Sequence, residues 1–248
     1  MFSLRRFLFS LCMYYATASL LYCQSESCIP IYTVQEVSLI AEEKYGLDDL
    51  LFNGVEYFAE NVRANGNPDF EWDKSLKTSL FIKGHAYDNT NLHYDIVLDQ
   101  LILTNVQKNF VEHKILLNSS FVDSFSLGDH LFINLIDTNE NSENRGYFEK
   151  IFGGKSMFLK KYTKSFVDTY DLRNRHGKFS PQSSTCFIYN QGILIKVNSK
   201  KKLLSFYISH KKQIREFLRK NKIRYKKASN SNLLKLMTYC DDISTQIN

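Results

Sequence analysis

Between Thr78 and Val106 apolar and polar side chains alternate. Leu80 and Ile82 alternate with Ser79 and Lys83. After a turn-rich break at Asp88–Asn91, Leu92, Tyr94, Ile96 and Leu98 alternate with His93 and Asp95, and a second break at Asp99-Gln100 leads into Leu101-Ile102-Leu103. A period of two sends successive side chains to opposite faces of a strand, so the stretch reads as three successive antiparallel strands with one dry and one wet face. The same pattern continues downstream. His113–Asn118 is an apolar run, Phe125 and Leu127 precede the Gly128-Asp129 turn, and Leu131, Ile133 and Leu135 alternate beyond it. Asn53-Gly54, Gly153-Gly154 and Asn190-Gln191-Gly192 each stand between strand-like runs as hairpin signals. Ala64–Asp73 reads as a loop whose aromatic end, Phe70 and Trp72, returns to the core. Asp137–Gly146 reads as a loop tip, and Asp168–Ser184 as a polar excursion.

Two segments depart from this pattern. Val34–Lys44 has a short helical stripe. From Ser199 onward the period becomes helical: Leu203, Leu204 and Tyr207 share one face of a helix capped by Ser199; Ile214, Phe217 and Leu218 share one capped by Ser209 and stopped at Asn221; and Leu233, Leu236, Met237 and Cys240 share one capped by Ser231. The expected fold is therefore mainly β (α+β): an antiparallel meander sheet built as a half-barrel, barrel or sandwich over 26–198. A helical C-terminal extension, 199–248, packs on it.

Composition agrees with a globular β protein. Hydrophobic residues make up 44% and charged residues 23% of the 248, and the aromatics, 15 Tyr and 19 Phe, suit strands. The N-terminus reads as a signal peptide over 1–25. Arg5 and Arg6 precede the apolar run Phe7–Tyr15, and cleavage is expected before Ser19 or after Ser25. The run is shorter than the ~20 residues of a membrane span. Leu20-Leu21-Tyr22-Cys23 has the outline of a lipidation box, but the bulky Tyr22 favours plain cleavage. The expected location is the periplasm or the outer membrane. With Cys12 and Cys23 in the leader, Cys28, Cys186 and Cys240 remain, either as one disulfide plus a free thiol or as independent apolar residues.

Charge is concentrated in the helical extension. Residues 200–227 carry Lys200, Lys201, Lys202, Lys211, Lys212, Arg215, Arg219, Lys220, Lys222, Arg224, Lys226 and Lys227 against one acid, Glu216, within a chain of net charge +6. Lys211, Lys212, Arg215, Arg219, Lys220, Lys222 and Arg224 are the candidate binding residues. Their partner would be an anionic surface such as phospholipid headgroups or lipopolysaccharide phosphates, unless the run is simply a solvated face. Export argues against nucleic acid.

Chemistry is otherwise sparse. His85 and His93 are placed to approach across neighbouring strands, and His93 shares a face with Asp95, but no third metal ligand accompanies them. Asp95 and Asp99 flank one strand without an acid–base role. No Gly-x-Ser-x-Gly, His-Glu-x-x-His, phosphate-cradling loop or dinucleotide fingerprint occurs. No catalytic residue, metal or cofactor is expected.

Five phrases together carry a resemblance: LFNGVEY at 51–57, the G-x-x-Y-x-N-x-x-L-x-Y-D pattern at Gly84–Asp95, FxxSFSLG at Phe121–Gly128, YFEKIFGGKSMFLKKYTK at 147–164 and KKKLLSFYISHKKQIREFLRKNKIRYKK at 200–227. The chain resembles a family of exported proteins of Gram-negative Bacteroidota. The resemblance implies a signal peptide, a β-rich body and a basic helical C-terminus, and it implies no activity. The leading expectation is a non-enzymatic cell-envelope module that offers a concave sheet face to a lipid, peptide or envelope protein, in the manner of the half-barrels of periplasmic lipoprotein carriers. An envelope hydrolase, with His93, Asp95 or His130 meeting a nucleophile or metal, and a membrane-surface binder acting through the basic tail are the alternatives.

Overall fold

In chain order the strands are β1 (Gly54–Glu56), β2 (Thr78–Ile82), β3 (His85–Asp88), β4 (Leu92–Asp95), β5 (Gln100–Val106), β6 (Glu112–Leu117), β7 (Val122–Leu127), β8 (His130–Leu135), β9 (Gly146–Gly153), β10 (Met157–Thr163), β11 (Phe166–Val167), β12 (Lys178–Phe179), β13 (Ser183–Asn190) and β14 (Ile193–Lys196). The helices α1 (Lys200–Phe206), α2 (Lys211–Lys220) and α3 (Asn230–Thr245) follow. This computed structural model describes residues 51, 54–71, 76–106, 112–135, 145–168 and 173–245, all within one unit, Asp48–Asn248. The leader expected at 1–25, Cys28, the helix expected at Val34–Lys44, Trp72 and most of the 137–146 loop lie outside the described residues.

Two antiparallel sheets form the body. One has the order β14-β13-β10-β9-β8-β7-β2-β3, the other β1-β6-β5-β4, and β11 pairs with β12 apart from both. Each large sheet ends on edge strands, so neither closes into a barrel. The alternation at Thr78–Val106 is real, but the three-strand meander is not. β2 and β3 form a hairpin over Lys83-Gly84, both at positive φ, and the chain then crosses to the other sheet, where β4 pairs with β5. The crossing is held by Asn89 N to Thr78 O (3.0 Å) and Thr104 N to Asn91 O (2.8 Å). Both halves can alternate and still separate because they bury one core from opposite sides.

β1 corrects the expectation at Asn53-Gly54. Among the described residues its partner is β6, with Gly54 opposite Leu117. A Cβ on Gly54 would lie 2.2 Å from the Leu116 carbonyl oxygen, so the glycine serves close backbone approach. The other two hairpin signals form β9–β10, with a bulge at Phe158/Leu159, and β13–β14, with Gln191 and Gly192 both at positive φ.

The core between the sheets is aromatic. Phe125 stacks on Phe132 at 4.8 Å, and Tyr94 meets both rings edge-on at 5.3 and 5.2 Å. Such pairs add about 0.5–1.5 kcal/mol each beyond area burial. Leu80, Leu101, Leu103, Leu117 and Tyr147 complete this cluster, and Phe70 enters it from the 64–71 loop. A second cluster joins Phe158 and Ile188 of the larger sheet to Leu203, Leu204, Ile214, Leu218, Leu233, Leu236, Met237 and Cys240 of the helices. A third, around Phe148, Leu159 and Phe187, lies on the opposite face of the larger sheet. One face of that sheet is therefore covered by the smaller sheet at one end and by helices at the other.

Ser199 caps α1, its Oγ accepting from Lys202 N at 3.3 Å. Ser209 does not cap α2, because a 3-10 turn at Ile208–His210 feeds directly into the helix. Ser231 lies inside α3, and Ser229 takes its place, accepting from Asn232 N at 3.3 Å.

Candidate functional site

β4 sends Leu92 and Tyr94 into the core and His93 and Asp95 outward, so the two polar residues share a face. His85 does not meet them: it lies on β3, in the other sheet. The segment Pro68–Phe70 runs antiparallel beside β4, with Asp69 opposite Asp95, Phe70 N donating to Tyr94 O (2.8 Å) and Ile96 N to Pro68 O (3.1 Å). Lys164 Nζ fixes the segment by donating to Asn67 O (3.1 Å) and Asp69 O (2.7 Å). The outward face of the smaller sheet, this segment and residues 57–62 enclose a cavity of about 490 Å3. Its walls are mainly apolar, with Val62, Pro68, Ile102 and Phe179, and its polar groups include Asp69 and His93.

Asp95, behind Asp69, is buried. Its Oδ1 accepts from Val97 N (2.8 Å) and Leu98 N (3.0 Å), which makes it the cap of the β4–β5 turn. Burial raises its carboxyl above the usual range, against those two amides, and the nearby Asp69 adds to the rise. Burial, then the nearby Asp95 and Asp69 charges, push the Tyr57 phenol up to about 12.

His130 does not join this group. It lies on the inner side with Phe70, at 5.0 Å between ring centroids, and its Nδ1 is 2.5 Å from Glu149 Oε1. Glu149 is buried and also accepts from Tyr162 Oη (2.7 Å) and Asn230 Nδ2 (2.7 Å). The hydrolase expectation needs these groups together with a nucleophile, and the cavity wall offers no Ser, Thr or Cys. Among the described residues no cluster of three or more His, Cys, Asp or Glu could hold a metal. Cys186 and Cys240 are free thiols.

The seven basic residues gather on α2 and the turn that follows it. Lys212, Arg215, Arg219, Lys220, Lys222 and Arg224 are exposed and Lys211 is half-buried. Among the described residues none has a carboxylate within ion-pair distance. Lys211, Arg215 and Arg219 follow one another at i, i+4, where like charges repel, and Lys211 and Lys212 occupy the first turn, where the helix dipole disfavours cations. Arg219 and Lys220, in the last turn, stand where the dipole favours cations, so the opposition to the helix is confined to the Lys211/Arg215/Arg219 row and the first turn. Comparison with family models, curated proteins and solved structures finds no match to this chain.

Proposed function

We propose that the protein is an exported, non-enzymatic module of the cell envelope that docks on an anionic surface, phospholipid headgroups or lipopolysaccharide phosphates, through its helical layer. The observation that carries this reading is the set of exposed cations on α2 and its following turn that have no ion-pair partner among the described residues, two of which, Lys211 and Lys212, stand in the first turn against the helix dipole. Close to an anionic bilayer each such side chain contributes ~1 kcal/mol, decaying over a Debye length of ~8–10 Å. Ile208, 68% exposed in the turn between α1 and α2, offers an apolar side chain beside them. Among the described residues no helix is long and apolar enough to cross a membrane. The leader and the family resemblance favour lipid over nucleic acid as the anionic partner.

The concave-face reading has less support. The larger sheet's inner face carries the smaller sheet and the helices, and the cavity of about 490 Å3 lies elsewhere. Co-sedimentation of the full chain with vesicles containing phosphatidylglycerol or lipopolysaccharide, compared with the Arg215→Glu/Arg219→Glu/Lys222→Glu variant of the same length, tests the proposal. Binding should be weaker in the variant and should fall as salt rises from 50 to about 500 mM, because the Debye length shortens. Equal binding by parent and variant at low salt overturns it.

A further inference from the structure

The cavity on the outward face of the smaller sheet has a use that surface docking does not explain. Its most buried polar group is the Asp69 side chain, 9% exposed, and among the described residues no donor lies within hydrogen-bond distance of that carboxylate. Its one ion-pair-range contact among the described residues is His93 Nδ1, 3.7 Å away. Lys114 lines the same cavity without pairing to Asp69. A carboxylate mostly buried, open only to the cavity and without a donor among the described residues, has acceptor capacity to spare for a ligand. The backbone around it is settled: Asp69 N donates to Asn67 Oδ1 (3.2 Å), Asp69 O accepts from Lys164 Nζ, and the flanking Phe70 and Pro68 are bonded to Tyr94 and Ile96. The side chain is thus held rigidly toward open space.

We propose that this cavity binds a small molecule in which an ammonium group is carried on an apolar body, with Asp69 as counter-ion. The volume suits a molecule of dipeptide size. Val62, Pro68, Ile102 and Phe179 take the body, and the rings of Tyr57 and Phe179 give the cation aromatic neighbours. Glu60 on the wall and Asp95 behind it add negative charge and disfavour an anionic ligand. The ammonium can come from a peptide N-terminus or an ethanolamine headgroup, which share this chemistry.

Calorimetric titration of the full chain with 2-phenylethylamine, 2-phenylethanol and 3-phenylpropionate tests the site. The amine should bind about tenfold or more tighter than the alcohol, and the carboxylate weakest, as a charge-assisted contact requires. Asp69→Asn keeps the shape and should reduce the amine to the level of the alcohol while melting like the parent. Ala59→Trp, at an exposed wall position, should occlude the cavity and abolish amine binding without altering Asp69. Titration with Phe-Ala amide and with glycerophosphoethanolamine then distinguishes the two sources, the tighter one naming the headgroup or the peptide. Equal affinity for amine and alcohol, undiminished amine binding in Asp69→Asn, or no binding of the amine by the parent at millimolar concentration overturns the proposal.

Discussion

Tyr162 donates its hydroxyl hydrogen to Glu149 Oε2 at 2.7 Å, in the seam where the aromatic core between the sheets meets the helical layer. The other oxygen of Glu149 takes His130 from β8 and Asn230 from α3, and Asn230 in turn accepts from Lys160 Nζ at 2.6 Å. One buried carboxylate therefore ties three strands to a helix. Burial, then the Glu149 charge, hold the Tyr162 phenol far above its ordinary range. Glu149→Ala should strip an acceptor from several buried donors and cost about 3–5 kcal/mol. Tyr162→Phe, which removes one neutral donor, should cost about 1–2 kcal/mol. Urea unfolding followed by circular dichroism measures both, and equal losses would mean that the carboxylate is not the hub.

Asp95 should make stability depend on pH in the less usual direction. Its folded-state carboxyl is raised above 3.8, first by burial. The folded protein therefore holds that proton more tightly than the unfolded chain does. The contribution to stability is fully present below the unfolded value of about 3.8 and is lost as pH rises through the higher folded value. At neutral pH the charged side chain is a burden. Asp95→Asn keeps an oxygen for the Val97 and Leu98 amides and removes the charge beside Asp69. The variant should melt at or above the parent temperature at pH 7, and its advantage should shrink toward pH 4. A lower melting temperature at pH 7 would show that the ionised form matters more to the turn than its burial costs.

How much of this was legible in the sequence depends on range. The β9–β10 and β13–β14 hairpins and the buried stripes Leu203/Leu204, Ile214/Leu218 and Leu233/Leu236/Met237 follow from local periodicity and turn chemistry, so they could be read directly. The division of Thr78–Val106 between two sheets could not. Nothing local to His85–Asp88, which is short and mostly exposed, marks it as an edge strand. Glu149 was hidden too, because residues 147–152 lack clean alternation and an inward acid there reads like a surface one. The cavity is harder still. Asp69 sits in a turn-rich loop, and its relation to His93 and Asp95 exists only after that loop is laid beside β4. His93 and Asp95 on one face was the single readable hint.

Arg215 stands between Lys211 and Arg219 on one helical face, each four residues away, and no carboxylate pairs with it. Arg215→Glu turns two repulsions into two attractions, each worth ~0.2–0.5 kcal/mol in either sense. The variant should therefore be more stable by about 0.8–2 kcal/mol in low salt while binding anionic vesicles less well. A site kept for docking predicts this opposition of stability and binding, and a solvated face predicts only the stability gain. Thermal melts and co-sedimentation on the same two proteins separate these cases.

The thiols of the helical layer should be inert. Burial pushes the Cys240 thiol up to about 12, with Asp241 adding to it, and burial likewise raises Cys186. A thiolate is the reactive form, so alkylation at pH 8 should be slow at both positions in the native protein and fast in urea. Peptide mapping after iodoacetamide treatment reads each site separately. Rapid native labelling of Cys240 would mean that α3 lifts from the sheet far more often than its buried stripe allows.

Gly146 is the position where the smallest change should do the most local damage. Its φ is +103°, and a Cβ there would lie 1.7 Å from Asp99 Oδ2. That carboxylate accepts from Tyr94 Oη at 2.6 Å and pairs with Lys161 Nζ at 3.1 Å, and Lys161 also donates to Arg145 O at 2.6 Å. Asp99 thereby fastens the turn after β4 to the start of β9 and to β10. Gly146→Ala must strain the backbone, ~1–3 kcal/mol, and displace a carboxylate that holds a buried tyrosine, ~1–3 kcal/mol more. A total loss of about 2–6 kcal/mol is expected. Asp99→Ala alone loses the bonds but leaves the glycine unstrained. In the double variant the clash has no second partner, so its loss should fall well short of the sum of the single losses. Strict additivity in that cycle would place the cost of Gly146→Ala in the backbone alone and would remove Asp99 as the reason for the glycine.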